Sequence, residues 1–219
     1  MKFSRINRPI KKMNKIKLTY FDVNGGRGEP IRLALHLGNI DFEDFRFPFS
    51  EFAEVRKTTP LGQVPTLELN ELQITQCNGI LRYIGKQANL YPKDDLQALL
   101  CDEVLGIVED ALQKLVMTFG LEGENLKAAR EKLVKHSITP ALKLLEKRLS
   151  GNGGEFFAGK QLTIADLKVF IWVRSLIAGH LDHIPTNLVE THAPGLIQHF
   201  NSLERAPAIA DYYSKIESS

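Results

Sequence analysis

The order of strand-type and helix-type segments is the feature that most restricts the fold of this sequence. Between residues 16 and 90, runs of alternating apolar residues are separated by helix-period segments, in the order βαβ and then ββα. Beyond residue 91, the long apolar patterns have helical period. We therefore predict a small α/β domain followed by an all-helical domain. The predicted strands are IKLTYF, DFEDFRF, PTLEL and LQIT, and the poorly periodic SEFAEVRKTTP predicts a short helix. In the helical part, Pro140 is expected to kink or divide the second long helix, and two short helices are expected after the helix that begins at LTIADL.

Domain boundaries follow from this change of period. We place the α/β domain at residues 16–90, a linker at 91–95 and the helical domain at 96–219. Residues 1–15 form a basic extension, which we expect to be disordered. Three interpretations of this extension stay open: an organelle-targeting arm, a simple tail, or a segment upstream of a start at Met13.

The formal net charge of +2 originates in the basic extension. Residues 1–12 contain five Lys and Arg and no acid, so the rest of the chain carries −3 and lacks the basic surface that nucleic-acid-binding proteins use. Charges interrupt every apolar run before the roughly 18 to 20 residues of a membrane-spanning helix. Two cysteines, Cys77 and Cys101, suit a reducing compartment. We expect a cytoplasmic protein without nucleic-acid or membrane partners.

Two short stretches combine with the end of the first strand to suggest a ligand site. Val64-Pro65 stands at the start of a strand; a cis bond there would turn the Val64 peptide outward to pair with a peptide-like ligand, but Pro65 could equally just begin the strand. TQCN precedes a helix, whose free amides attract a carboxylate, although an ordinary helix cap explains it as well. With Tyr20, these positions suit a small acidic peptide.

Five motifs now identify a family resemblance. LTYF, GRGEPIRL, PLGQVPTLEL, ITQCNGILRYIGK and LTIADL are similar in order and spacing to the cytosolic glutathione transferases, and most closely to the sigma-like group, from about residue 16 to the end. The resemblance implies a thioredoxin-like N-terminal domain followed by an all-helical C-terminal domain. It also implies a homodimer that uses glutathione as co-substrate, without a metal, to attack a small apolar electrophile.

The resemblance implies that Tyr20 donates a hydrogen bond to the glutathione sulfur and that Arg27 supports the thiolate. Lowering a thiol pKa by two units requires about 2.7 kcal/mol. One phenol hydrogen bond to an anion supplies about 1.5 to 3 kcal/mol. The stretch between Tyr20 and Arg27 is one residue longer than in the sigma-like pattern, so Asn24 or the amides of Gly25 and Gly26 are alternatives to Arg27.

Further ligand contacts are implied in the same way. The glutathione-binding positions are Tyr20, Phe52, Arg56, Gln63, Val64, Pro65, Gln76, Cys77 and Asp110. Phe52 replaces a common tryptophan, and Arg56 is expected to pair with the glycyl carboxylate. Cys77 replaces a serine and donates more weakly; alternatively it is a redox-sensitive thiol, because a helix start lowers a cysteine pKa. Glu109 and Asp110 match acids that face the partner subunit, where Asp110 meets the ligand amino group.

The acceptor pocket and the reaction are less restricted by the motifs. The positions expected to line the pocket are Phe21, Asp22, Val23, Gln113, Met117 and Phe119. A glutathione-dependent isomerase or peroxidase of prostaglandin synthase type is an alternative to a transferase, and so is a non-catalytic ligand carrier or lens-type protein. LTIADL has a structural role, because Thr163 and Asp166 are predicted to form a capping box.

Overall fold

The computed structural model describes residues 15–217 and has the predicted two-part architecture. A four-stranded sheet with strand order β2-β1-β3-β4 forms the first part. Strand β1 pairs in parallel with β2 and antiparallel with β3, which pairs antiparallel with β4. The strands are β1 Ile16–Phe21, β2 Glu43–Phe47, β3 Thr66–Leu69 and β4 Leu72–Ile74. This confirms the thioredoxin-like prediction.

Helices of the first part follow the predicted apolar stripes. Helix α1 (Glu29–Leu37) and helix α3 (Cys77–Gln87) pack against each other and bury their apolar residues in the core. Between β2 and β3, a short α2 (Phe52–Val55) is flanked by 3₁₀ turns, as expected for this poorly periodic stretch. The Val64-Pro65 peptide bond is cis and directly precedes β3.

The second part is all-helical, as predicted. Its helices are α4 Asp95–Val116, α5 Gly123–Leu133, α6 Thr139–Gly151, α7 Ile164–Ile177, α8 Leu188–His192, α9 Pro194–Glu204 and α10 Pro207–Glu217. Helix α7 is apolar on nearly all sides and therefore occupies the centre, with Trp172 and Phe170 buried. It packs against both α4 and α1, and so joins the two parts.

The helix starts and breaks predicted from the sequence agree with the structure at α7 and differ from it after α7. The Thr163–Asp166 capping box is present, and the carboxylate of Asp166 also accepts from the Phe157 N–H at 3.0 Å. The predicted division near Pro140 is a π-helical segment, Val134–Ile138, between α5 and α6. Three helices follow α7 instead of the two expected, because a proline in the first turn begins a new helix at Pro194 and again at Pro207.

The remaining expectations concern the N-terminal extension, membrane-spanning helices and metal sites. The basic extension lies outside the described residues except for its last position, Lys15. None of the helices described between residues 15 and 217 combines the length and apolar character needed to cross a membrane. Within the same residues, His, Cys, Asp and Glu side chains form no group of three or more that could hold a metal ion.

Candidate functional site

Tyr20 lies near the end of β1, and the loop that follows the strand closes over its side chain. The residue is only 7% exposed. A Cβ added to Gly26 would lie 2.5 Å from the Tyr20 hydroxyl oxygen, and a Cβ added to Gly28 would lie 2.3 Å from the Tyr20 ring atom Cδ1. Gly26 also has a φ of +64°, which disfavours other residues. These two glycines therefore form a close-fitting cradle around the phenol.

The Tyr20 hydroxyl has a defined hydrogen-bond role. The backbone N–H of Arg27 donates to Tyr20 Oη at 3.0 Å. Burial raises the pKa of the Tyr20 phenol, although the Arg27 N–H opposes this shift. The phenol is therefore protonated at neutral pH, and because its oxygen already accepts a hydrogen bond, its O–H is available to donate to a ligand.

Two arginines hold the loop between Tyr20 and Arg27. Buried Arg32 on α1 donates from Nη1 to the Val23 carbonyl at 2.9 Å and from Nη2 to the Phe21 carbonyl at 3.2 Å. Arg46 on β2 donates from Nη1 to Asn24 Oδ1 at 2.9 Å. The extra residue in this loop is thus accommodated by side-chain anchors, and the Asn24 carbonyl group is engaged with Arg46.

The Arg27 side chain turns towards helix α4. Its Nε donates to Glu109 Oε1 at 2.6 Å and its Nη2 to Gln113 Oε1 at 3.0 Å. Glu109 Oε2 accepts from Lys168 Nζ at 2.6 Å. Although burial opposes the shift, Lys168 and Arg27 hold the pKa of Glu109 below its usual value.

Glu109, which the family resemblance implies faces a partner subunit, is paired with two cations of its own chain. Both of its oxygens accept hydrogen bonds from cations of the same chain, so the side chain belongs to a network between the loop, α4 and α7. Its neighbour Asp110 is exposed. Asp110 is thus the more exposed of the two acids, since only 28% of the Glu109 side chain is accessible.

The first turn of α3 provides the second part of the site. Gln76 precedes it with φ +78° and ψ +97°, a sparsely populated backbone conformation. No described side chain caps this eleven-residue helix, so the first-turn amides are not occupied by a cap. Cys77 is buried, and burial raises the pKa of its thiol, while Lys168 opposes the shift. The raised pKa disfavours the alternative interpretation of Cys77 as a low-pKa redox thiol.

Residues predicted for the glycyl end are brought together between α2 and β3. The Arg56 guanidinium lies 5.4 Å from the Phe52 ring centroid, and a Cβ at Gly62 would come within 3.3 Å of Arg56 Nε. Gln63, in extended conformation, follows Gly62 directly and leads to the cis bond before Pro65. Phe52, Arg56 and Gly62 thus lie close together, and Gln63 is the next residue along the chain.

The predicted acceptor-pocket residues have different partners. The Phe21 ring lies 4.5 Å from the Phe49 ring and 5.0 Å from the Phe52 ring, on the glycyl side. Gln113 contacts Arg27 instead. Met117 and Phe119 follow α4 and are 73% and 58% exposed. Phe21 thus contacts aromatic rings on the glycyl side, whereas Gln113 contacts Arg27 on the side of α4.

Several residues at this site were not found by sequence analysis. Gly28 was not singled out and Gly26 was considered only for its amide, and the proximity of both to Tyr20 becomes visible only in three dimensions. Lys168 had a detectable signal, since it is the one charge in the apolar stretch LKVFIWV. A charge in a fully apolar helix predicts a buried ion pair or a functional group.

Comparisons with known proteins agree with this two-part arrangement. A family model described as Glutathione S-transferase, N-terminal domain, matches residues 16–86, and one described as Glutathione S-transferase, C-terminal domain, matches residues 109–215. Glutathione S-transferase 1 of Ascaris suum is 34% identical over 161 residues, which cover 72% of this chain and 78% of that protein.

Two solved structures share the whole architecture. Prostaglandin synthase D of Nilaparvata lugens has a TM-score of 0.80 at 26% identity, covering 92% of this chain and 98% of the other. A sigma class glutathione S-transferase of Fasciola hepatica has a TM-score of 0.78 at 25% identity, with 92% and 96% covered.

Proposed function

We propose, from the premise that this chain belongs to the glutathione S-transferase family of enzymes, that it uses Tyr20 to stabilise the glutathione thiolate for attack on electrophilic apolar acceptors. The observation that carries this proposal is the state of the Tyr20 hydroxyl. Its oxygen accepts from the Arg27 N–H at 3.0 Å, and burial keeps the phenol protonated. Its O–H is then the group that donates to the sulfur.

The proposed reaction depends on the Tyr20 hydrogen bond and on holding glutathione and the acceptor next to each other. Glutathione loses its thiol proton to solvent, and the phenol hydrogen bond stabilises the resulting thiolate by about 1.5 to 3 kcal/mol. Arg27 adds electrostatic stabilisation from the same loop. The thiolate then attacks an electrophilic carbon held beside it, so that proximity supplies the rest of the acceleration. This scheme requires no metal.

Glutathione is proposed to lie along the edge formed by Val64, α3 and α2. Its γ-glutamyl carboxylate binds at the amides of Gln76 and Cys77, since a helix start favours an anion. The cysteinyl backbone pairs with Val64, before the cis bond to Pro65. The glycyl carboxylate pairs with Arg56 beside Gln63 and Phe52.

A homodimer in the cytoplasm is part of the proposal. Asp110 is exposed on α4 and would meet the ligand amino group bound to the other subunit. Sedimentation of the purified protein, with and without Asp110→Asn, tests this arrangement: the variant should remain dimeric but bind glutathione more weakly. A monomeric protein with unchanged affinity would contradict it.

The sigma-like class and a prostaglandin-type isomerase or peroxidase reaction are finer proposals. They are supported by the similarity to a sigma class glutathione S-transferase and to prostaglandin synthase D. The acceptor pocket is proposed near Phe21, Val23, Gln113, Met117 and Phe119. A screen of electrophiles, hydroperoxides and prostaglandin-type substrates separates the three reactions.

The decisive experiment measures the ultraviolet thiolate absorbance of bound glutathione at neutral pH. The wild-type protein should show it and Tyr20→Phe should abolish it, whereas Tyr91→Phe is the matched control, because the Tyr91 hydroxyl contacts Asp102 away from this site. A non-catalytic carrier would bind glutathione without the signal. An unchanged signal and rate in Tyr20→Phe would refute the role of Tyr20.

A further inference from the structure

Lys168 is a buried ammonium group in the apolar helix α7. It is 1% exposed, and most of its helix consists of buried apolar residues. Burying a charge is unfavourable unless it is paired and hydrogen-bonded. Lys168 meets this requirement at the proposed glutathione site: its Nζ contacts Glu109 Oε2 at 2.6 Å, Cys77 Sγ at 3.5 Å and, through a short hydrogen bond, Asn78 Oδ1.

These contacts connect the two halves of the site. From Lys168 the polar contacts continue through Glu109, whose Oε1 accepts from Arg27 Nε at 2.6 Å. The Arg27 backbone N–H then reaches the Tyr20 hydroxyl at 3.0 Å. On its other side, Lys168 touches the first two residues of α3. One side chain of α7 therefore lies between the proposed carboxylate site and the proposed thiolate donor.

The charges of this network explain why a cation is needed there. Glu109 is shared by two cations, Arg27 and Lys168. With both present, the network carries one net positive charge. Without Lys168, Glu109 would pair with Arg27 alone, and the positive charge next to the ligand would be cancelled.

We propose that Lys168 is a positioning residue of this site, which neutralises Glu109 so that the charge of Arg27 remains available to the glutathione thiolate. It also supports the Cys77-Asn78 start of α3, at which the γ-glutamyl carboxylate binds. This inference rests on the proposed function, because it assigns Lys168 a role in the same thiolate site.

The test titrates the thiol of bound glutathione by its ultraviolet absorbance in four proteins. Lys168→Met should raise the thiol pKa by about one unit, the effect of removing a unit charge roughly 10 Å away at an effective dielectric constant of about 20. Glu109→Gln should lower the thiol pKa. The double variant should return it close to the wild-type value, because one net positive charge remains.

Controls separate this effect from loss of stability. Arg148→Met removes another ion pair of α4, the contact of Arg148 with Glu103 at 2.6 Å, and should leave the thiol pKa unchanged. At a pH below the wild-type thiol pKa, kcat/KM for Lys168→Met should fall about tenfold and recover as the pH rises. If Lys168→Met does not fold, Lys168→Gln removes the same charge while keeping hydrogen-bond donors, and its thiol pKa should rise similarly.

The results distinguish a failure of the proposed function from a failure of the proposed role of Lys168. If wild-type protein shows no thiolate signal, or Tyr20→Phe leaves it unchanged, the proposed function fails. If that signal depends on Tyr20 but the thiol pKa is the same in the wild type, in both Lys168 variants and in Glu109→Gln, only the role of Lys168 is refuted. A raised pKa in Lys168→Met that the double variant does not reverse would also overturn the charge argument.

Discussion

Replacing Gly28 with alanine should displace the Tyr20 ring and thereby reduce thiolate formation. Gly28 has φ −79° and ψ −34°, a conformation that alanine adopts freely, so the effect is purely steric. Its new methyl group would lie 2.3 Å from Tyr20 Cδ1 and 2.5 Å from Cγ. Carbon atoms in contact are about 3.5 to 4.0 Å apart. The ring or the loop must therefore move by more than about 1 Å.

The expected losses of stability and of activity in Gly28→Ala follow from this displacement. Overpacking of this kind costs about 1 to 3 kcal/mol, which corresponds to a fall in Tm of about 2 to 4 °C per kcal/mol in a chain of this length. A hydroxyl moved by about 1 Å loses much of a hydrogen bond worth about 1.5 to 3 kcal/mol. We expect kcat/KM at neutral pH to fall about 10- to 100-fold and the thiol pKa of bound glutathione to rise by about one to two units.

The assay compares Gly28→Ala with a neighbouring glycine. Gly25 lies in the same loop, and apart from Gly25 and its two chain neighbours no atom of the described residues is within 4 Å of its added Cβ, so Gly25→Ala should keep the wild-type rate and thiol pKa. The double variant Gly28→Ala, Tyr20→Phe should be scarcely slower than Tyr20→Phe, because both changes remove the same hydrogen bond. A stable Gly28→Ala protein with an unaltered thiol pKa would refute the cradle around Tyr20.

Three further predictions concern thiols and acid stability. Cys77→Ser should bind glutathione equally or more tightly, since a hydroxyl is the better donor; calorimetry measures this, and a large loss of activity would instead assign the cysteine to the mechanism. Both thiols should react slowly with a disulfide reagent in the native protein, because burial raises the pKa of Cys77 and brings that of Cys101 to about 12; rapid labelling before denaturation would contradict this. Because the folded-state pKa of Glu109 is lowered, its stabilisation is present above the unfolded pKa of about 4.3 and is lost as pH falls further. The Tm difference between wild type and Glu109→Gln should therefore be full at pH 6 and vanish in acid, and a constant difference would be contrary evidence.

The fold could be predicted because its signals are local. Apolar period identified the strands and α1, and the Thr163–Asp166 pair marked the start of α7 before any contact was known. The number of short helices at the end was wrong, since each proline there was compatible with either a break or a new first turn. Local chemistry could not decide between these outcomes.

The site was predictable only in part, because its chemistry depends on contacts between distant segments. Tyr20 and the start of α3 were marked by their positions at the ends of regular elements. Glu109 pairs with Arg27, 82 residues earlier in the chain, and with Lys168, 59 residues later, and no periodic pattern encodes these pairings. The pKa of Cys77 shows the consequence: the helix start alone predicts a lowered value, whereas burial raises it.

The surroundings of Tyr20 favour a catalytic protein over a carrier of the same fold. Closing the loop over the ring requires glycine at two positions, one of them with a positive φ, and glycine loses more backbone entropy on folding than other residues do. A phenylalanine at position 20 would need no partner for a hydroxyl. Such local conflicts with stability are typical of functional sites. The two glycines and the Arg27 N–H fix the Tyr20 hydroxyl oxygen in position. This is useful to a protein that donates a hydrogen bond from that oxygen. It is of little use to a protein that only binds the carboxylates of glutathione.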